Sequence, residues 1–357
     1  MIDLRSDETH LLLNPRMPEE ERAKLERLAT AATLRGHVWI ATSGTSGALK
    51  LTALSKDALL ASAAAVNAHL GAGPDDPWYC VLPDFHVGGL GIHARAMLSG
   101  ARVFVAPWDA RVFAETIARE RVAFSALVPA QVSDLVRDAI VAPPSIRAIV
   151  VGGGALAPSL IDAGRELGWP LLQSYGMTEC CSQVATATYE SSELRVLPHL
   201  QVREEEDGLL AVCGSSLLTG YAMFDKAGRA TFIDPKTGGW FVTEDLGEVK
   251  GRVLRVARRR GDFVKIGGES VDLRRLDRIL EEIVAASGGD AAVLAATDER
   301  LGHVIHVAST KDGIAALFDQ QVMPFERARA IHRVSVIPRS PLGKLLRTKL
   351  AQELGIA

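Results

Sequence analysis

Between residues 78 and 179, short apolar runs alternate with amphipathic runs, and this alternation constrains the fold more than any other feature of the chain. "WYCVLP" (78–83), "RVFVAP" (102–107), "AFSALVP" (123–129), "IRAIVVGGGA" (146–155) and "PLLQSYGMTE" (170–179) read as strands. "GLGIHARAMLSGA" (89–101), "ARVFAETIARERV", "AQVSDLVRDAI" and "APSLIDAGRELG" lie between them and read as helices. Strand and helix in strict alternation demand a largely parallel sheet with helices on its faces. In such sheets ligands gather beyond the carboxyl ends of the strands. The triple-glycine run after Val151 and the run "SYGMTE" fall at those ends and read as loops.

The flanks differ. "PRMPEEERAKLERLATAAT" (15–33) reads as a charged amphipathic helix and "HVWIA" (37–41) as a strand. "SKDALLASAAAVNAHL" from Ser55 reads as a serine-capped helix. From about residue 190 short alternating segments with turn signals predict an antiparallel β region. After "RRGDFVKIGGESV", a helix ("LRRLDRILEEIVAAS"), strands ("DAAVLAATD", "VIHVAST") and a last helix–strand pair form an α+β tail of about 100 residues, a plausible independent size. The expected fold class is α/β. A large domain over 1–257 carries mainly parallel sheets flanked by helices plus the antiparallel region, and a small mobile α+β domain spans 258–357, the boundary lying in "RRRGD" (258–262).

The 357 residues suffice for roughly two domains and a large core. A net charge of −3 argues against a nucleic-acid partner, and the arginines of 252–260 and 327–333 are interleaved with apolar residues, as on solvated faces. Cys80, Cys180, Cys181 and Cys213 form no C-x-x-C pair, which argues against zinc and suits a reducing cytosol. "MIDLRSDETH" has no apolar signal core and no run is long enough to span a bilayer, so a cytoplasmic location without membrane insertion is expected.

The stretch "TSGTSGALK" (42–50) concentrates glycine, hydroxyls and a lysine on nine residues after a strand. Glycines let a backbone approach a ligand, hydroxyls and amides donate hydrogen bonds, and lysine adds a point charge. That inventory holds a polyphosphate. The spacing G-x-x-G-x-x-K is neither a Walker A loop nor a dinucleotide loop. On these residues alone, phosphate binding and a plain polar turn are equally open.

Four further segments follow it in order: "VVGGGA" (150–155), "SYGMTE" (174–179), "FVTEDLG" (241–247) with "RRGDFVKIGGE" (259–269), and "PRSPLGKLLR" (338–347). Together, from about residue 37 to the end, they resemble the adenylate-forming superfamily of acyl-CoA and aryl-CoA synthetases, adenylation domains and luciferases. The resemblance implies a carboxylate attacking the α-phosphate of ATP, then transfer of the acyl group to CoA. Such chemistry asks for positioning and charge neutralisation more than acid–base groups. By resemblance, Thr42, Ser43, Gly44, Thr45, Ser46, Gly47 and Lys50 cradle the β- and γ-phosphates. Gly152, Gly153, Gly154 and Ala155 border the adenine, with Tyr175 stacked on it between Ser174 and Gly176. Thr178 contacts the α-phosphate and Glu179 holds Mg²⁺, a hard cation suited to one carboxylate plus phosphate oxygens. Asp245 takes the ribose hydroxyls with Arg259 beside it. Lys344 matches the adenylation lysine, Gly261 the hinge, and Gly267, Gly268 and Glu269 the loop covering the pantetheine tunnel in the thioester step. In isolation Tyr175 would be a half-buried core tyrosine, and Asp245, Arg259 and Lys344 surface charges; the motif context reverses that.

Departures from the pattern are Leu49-Lys50-Leu51 for Pro-Lys-Gly, Glu244 for the glycine before the ribose aspartate, Gly261 for the hinge Asp or Lys, and well over a hundred fewer residues before the phosphate loop. None removes a chemically essential residue.

"LPDFHVGGLGIHARAMLSGARV" (82–103) places His86, Gly89 and, from the later motif, Met177 beside the acyl pocket by resemblance. The short chain and "FHVGGLGI" look most like bacterial o-succinylbenzoate–CoA ligases of menaquinone synthesis. The second carboxylate of that acid needs a cation or several donors, for which His86, His93 and Arg95 are candidates, while Asp84 opposes a dianion. The expected partners are a small carboxylic acid, ATP, Mg²⁺ and CoA, with a homodimer left open. The alternatives are another aryl- or acyl-CoA ligase, a carrier-protein-loading adenylation domain, and a nucleotide-binding module without turnover.

Overall fold

The computed structural model describes residues 2–43, 49–154, 156–225, 227–259, 263–266, 269–298, 301–340 and 343–356. They form two compact units, Met1–Thr243 with Gly247–Val256, and Glu244–Leu246 with Ala257–Ala357.

The first unit opens with β1 (His10–Leu12), α1 (Glu19–Ala31), β2 (His37–Ser43), β3 (Leu49–Ser55) and α2 (Lys56–Leu70). It continues with β4 (Trp78–Cys80), α3 (Val87–Ser99), β5 (Val103–Val105), α4 (Ala110–Glu120), β6 (Phe124–Leu127), α5 (Pro129–Arg137), β7 (Ala148–Val151), α6 (Pro158–Glu166) and β8 (Leu171–Met177). A 3₁₀ turn (Thr178–Cys180) then leads to β9 (Ser182–Thr186), β10 (Leu194–Val196), β11 (Leu200–Glu204), β12 (Leu209–Gly214), β13 (Gly220–Phe224) and β14 (Ala230–Ile233). The long strands β15 (Phe241–Lys250) and β16 (Val253–Arg259) follow and lend residues to both units.

The larger sheet has the order β11-β12-β15-β16-β10-β9-β8-β7-β6-β4-β5. Its β8-β7-β6-β4-β5 part is parallel, with α3 to α6 as crossovers, as the alternation of the sequence requires. Every residue of β6 and β7 is buried, the mark of strands covered on both faces. On one face Phe113 of α4 stacks between Tyr79 and Trp169, with ring centroids 5.3 and 5.9 Å away. The β8–β9, β9–β10, β10–β16 and β11–β12 pairings are antiparallel.

The smaller sheet, β1-β2-β3-β13-β14, corrects one expectation. The stretch 42–50 is not a loop leading from a strand to a helix. Its ends belong to two paired strands, Thr42 opposite Lys50 in the β2–β3 hairpin, and only then does α2 begin. The serine cap of α2 is as expected, Ser55 Oγ accepting from Ala58 N at 3.1 Å.

The second unit contains β17 (Phe263–Ile266), β18 (Glu269–Asp272), α7 (Leu273–Ser287), β19 (Ala291–Asp298), β20 (Gly302–Ser309), α8 (Ile314–Asp319), β21 (Ala328–Arg333) and α9 (Arg347–Glu353). The sheet order is β18-β17-β20-β19, with β21 parallel to β20. Asp272 caps α7, whose Leu273, Leu276, Leu280 and Ile283 supply the apolar stripe buried against the sheet. The architecture is mixed α/β. Among the described residues, no helix is long and apolar enough to cross a membrane.

Candidate active site

The turn carrying Thr178 and Glu179 is held by unusual backbone. Residues 174–177, expected in a loop, instead extend β8 and pair antiparallel with β9, with an irregularity between Tyr175 and Gly176. A Cβ on Gly176 would lie 1.9 Å from the Ser182 carbonyl oxygen, so only glycine permits this approach. Cys181 and Ser182 follow the turn with φ of 56° and 132°, a left-handed conformation that is strained for residues with a Cβ and persists only where its surroundings enforce it. The Glu179 carbonyl accepts from Leu218 N at 2.7 Å, fixing the turn to the segment before β13.

The carboxylate of Glu179 meets residues from two strands of the other sheet. Tyr221 OH donates to Glu179 Oε1 at 2.8 Å. Lys50 Nζ lies 3.8 Å from the same oxygen and 3.4 Å from the centroid of the Tyr221 ring. The structure thus brings together Lys50 and Glu179, and adds Tyr221, which the sequence reading missed. Its only signal was the alternating segment "GYAMF", which reads as one more strand.

Gly152, Gly153 and Gly154 follow β7 at its carboxyl end. A Cβ on Gly152 would meet Ser174 Oγ at 2.8 Å, and that hydroxyl donates to the Val151 carbonyl at 3.1 Å. Gly153 has φ +78°, which selects glycine by itself. Tyr175 and Met177 are half-buried and pack on the core. Thr42 Oγ1 lies 3.1 Å from Thr52 Oγ1. Gly44, Thr45, Ser46, Gly47, Ala155, Gly261, Gly267 and Gly268 lie outside the described residues, as do the side chains of Ser43, Arg259 and Glu269.

Around α3, His86 is the residue before the first turn, its ring 4.7 Å from that of Phe85. Burial holds the pKa of His86 below the ordinary value, and that of His93 likewise, with Asp84 pulling the latter partly back. Both imidazoles are therefore neutral at neutral pH. His93 and Asp84 line a cavity of about 280 Å³ with Leu90 and Met97. A Cβ on Gly89 would strike the Pro83 and Leu82 carbonyl oxygens at 2.3 and 2.5 Å, so close packing of α3 explains this glycine without a substrate.

Arg95 is different. It is 1% exposed, and burial pushes its pKa down only to about 10, so it stays a cation at neutral pH. Nη2 donates to Ser182 Oγ at 3.3 Å, while Nε and Nη1 find no hydrogen-bond partner among the described residues. One turn earlier on α3, Gly91 leaves room for the guanidinium, since a Cβ there would lie 3.1 Å from Nη2. A buried cation with unmet donors is costly unless an anion completes it.

In the second unit, Lys344 sits in a closed turn. Ser340 N donates to the Lys344 carbonyl at 2.7 Å, Lys344 N to Ser340 Oγ at 3.1 Å, and Gly343 N to the Ser340 carbonyl at 2.8 Å. Asp245 lies midway along β15 and Arg259 ends β16.

Among the described residues no three His, Cys, Asp or Glu side chains gather as a protein-made metal cage. A single carboxylate, Glu179, with the Tyr221 hydroxyl on Oε1, suits Mg²⁺, a hard cation bound through one or two carboxylates with phosphate oxygens supplying the rest.

Comparison with known proteins identifies the family. Residues 9–218 match the model of the AMP-binding enzyme family. The 2-succinylbenzoate–CoA ligase of Bacillus cereus is 30% identical over 94% of this chain and 73% of its own length. That of Listeria monocytogenes is 28% identical over 87% and 68%. Among solved structures, o-succinylbenzoate CoA synthetase (MenE) from Bacillus subtilis in complex with the acyl-adenylate intermediate OSB-AMP superposes with TM-score 0.76 at 26% identity, over 88% of this chain and 68% of that one. The same enzyme with ATP and a magnesium ion gives TM-score 0.75 at 26% identity, over 88% and 69%. The chain belongs to the AMP-binding enzyme family.

Proposed function

We propose that this chain is an AMP-forming acid–thiol ligase that activates 2-succinylbenzoate with ATP and passes the acyl group to CoA. The relatives carrying that name support the reading, and Arg95 is the observation that carries the substrate. 2-Succinylbenzoate bears one carboxylate to activate and a second to be recognised. Of the candidates for the second, His86 and His93 are neutral, and Arg95 alone keeps a charge, with two nitrogens still to be satisfied. A monocarboxylic acid would leave those two nitrogens unmet.

In this reading the activated carboxylate oxygen attacks the α-phosphorus of ATP, the bond to the β-phosphate breaks, and pyrophosphate leaves. The 42–50 hairpin and Lys50 neutralise the departing charge, Thr178 lies at the α-phosphate, Gly152–Gly154 and Tyr175 flank the adenine, and Asp245 takes the ribose. Mg²⁺ held by Glu179 would add charge neutralisation at the phosphates. Lys344 bridges carboxylate and α-phosphate in this first step. In the second, the CoA sulfur attacks the acyl carbon and AMP leaves, with the 258–357 domain turning at Gly261 to withdraw Lys344 and bring Gly267–Glu269 over the pantetheine.

The test separates the half-reactions. Lys344→Ala is expected to lose formation of the acyl-adenylate from acid and ATP, while CoA still discharges acyl-adenylate supplied ready-made. Equal loss in both would sink this division of labour.

A further inference from the structure

We propose that Tyr221 is a positioning residue that sets both the carboxylate of Glu179 and the ammonium of Lys50, and keeps the two from closing into a tight ion pair. The proposal rests on the reading of Glu179 as the metal-binding carboxylate.

Its first support is the spacing of the charges. An unobstructed lysine–carboxylate pair closes to about 2.8 Å. Here Lys50 Nζ stays 3.8 Å from Glu179 Oε1, although both side chains are largely shielded from solvent. The Tyr221 hydroxyl occupies that oxygen at 2.8 Å, and the face of its ring carries the ammonium at 3.4 Å. One side chain thus gives each charge a partner that is not the other. The hydroxyl fixes the carboxylate through Oε1, which would leave Oε2 to face a bound cation. Lys50 and Glu179 remain a long ion pair, 3.8 Å apart, rather than a closed one.

The second support is how firmly Tyr221 is placed. It stands directly opposite Thr52 in the β13–β3 pairing, two residues from Lys50 and so on the same face of β3. A Cβ on Gly220 would lie 2.5 Å from the Phe232 ring and 2.7 Å from the Ile233 carbonyl oxygen, so glycine there fixes β13 tightly against β14. The Leu218 N to Glu179 O hydrogen bond ties the start of this segment to the turn whose carboxylate Tyr221 holds.

The experiment measures ATP binding by calorimetry, in EDTA and in saturating Mg²⁺, without acid or CoA so that nothing turns over. The readout is the ratio of the two dissociation constants, which a general loss of stability does not move; thermal melting confirms that each variant is folded. Tyr221→Phe keeps the ring and loses the hydroxyl, and is expected to shrink the Mg²⁺ enhancement about tenfold while metal-free binding stays within about twofold. Tyr221→Leu loses the ring too, and its metal-free affinity should fall about fivefold further, as for a lost cation–π contact. Added to Glu179→Gln, Tyr221→Phe should have no further effect on the ratio. If Glu179→Gln shrinks the ratio and Tyr221→Phe does not, the role of Tyr221 is overturned. If Glu179→Gln leaves the ratio unchanged, the metal-ligand reading itself falls, and the proposal with it. Equal metal-free affinities in the Phe and Leu variants would remove Lys50 from the proposal.

Discussion

Arg339 grips Asp290 with two nitrogens, Nε to Oδ2 at 2.9 Å and Nη2 to Oδ1 at 2.6 Å, and its Nη1 donates to the carbonyl of Gly343, the residue before Lys344, at 3.2 Å. The turn presenting Lys344 is thereby anchored to the start of β19. Asp290 also holds the Arg339 pKa above its ordinary value, through their hydrogen bonds first. Both side chains are about one-third exposed, so solvent weakens the pair as a source of stability.

Asp290→Ala should therefore cost under about 1 kcal/mol of stability yet slow acyl-adenylate formation severalfold, because the lysine turn loses its anchor. Discharge of supplied acyl-adenylate by CoA should be unaffected. Single-turnover measurement of each half-reaction checks this, and an unchanged first step would contradict it.

Arg95→Met should separate stability from selectivity. Replacing a buried cation with two unmet donors by an apolar chain of similar length is neutral or stabilising, so the melting temperature holds or rises. The KM for 2-succinylbenzoate should rise about 100-fold, as for a lost charge-assisted contact of about 3 kcal/mol, with little change for a monocarboxylic aryl acid. Equal losses for both acids would exclude Arg95 from recognising the second carboxylate.

Two glycines in the nucleotide motifs should behave unlike each other. Gly176→Ala puts a methyl 1.9 Å from a main-chain oxygen that cannot move without reshaping the Glu179 turn, so stability falls by more than about 2 kcal/mol and adenylation is lost. Gly152→Ala meets only the Ser174 hydroxyl, which can rotate away, so the fold survives. Denaturant unfolding of both variants compares them.

His199 predicts a pH dependence. Both ring nitrogens are buried without a hydrogen-bond partner among the described residues, and burial, helped by Arg252, moves its pKa from 6.5 down to about 4. Between those values the unfolded chain takes up a proton that the folded chain refuses, so stability falls as the pH drops through that window. Above it both states are neutral and this group contributes no slope. His86 and His93 act in the same direction. The melting temperature should decline from pH 7 toward pH 4.5, and His199→Gln should flatten the decline. An identical slope in the variant would contradict this.

The parallel core was legible because β4 to β8 are apolar runs separated by amphipathic helices, a pattern that demands a parallel sheet. The strand β3 was not, although "LKLTALS" alternates with period two. Its first residues also end a phosphate-loop motif, and the motif reading absorbed them. Residues 174–177 misled in the same way. Their glycine suggested a loop, whereas Gly176 serves a close approach of two strands. Lys50 and Glu179 could be named because motifs mark them. Tyr221 could not, since its role arises only when β13 pairs with β3 and faces a turn 42 residues earlier in the chain. Residue type already separates the charged Arg95 from the neutral His93, but nothing in "GIHARAM" shows that Arg95 is buried with Nε and Nη1 lacking hydrogen-bond partners among the described residues.

Pyrophosphate release from ATP and Mg²⁺ should be measured first, against a panel of carboxylic acids, with and without CoA. Release with 2-succinylbenzoate, and a thioester only when CoA is added, is the predicted result. Release with benzoate-like or fatty acids but not with 2-succinylbenzoate would keep the adenylation chemistry and contradict the substrate. Silence across the panel would contradict the ligase itself.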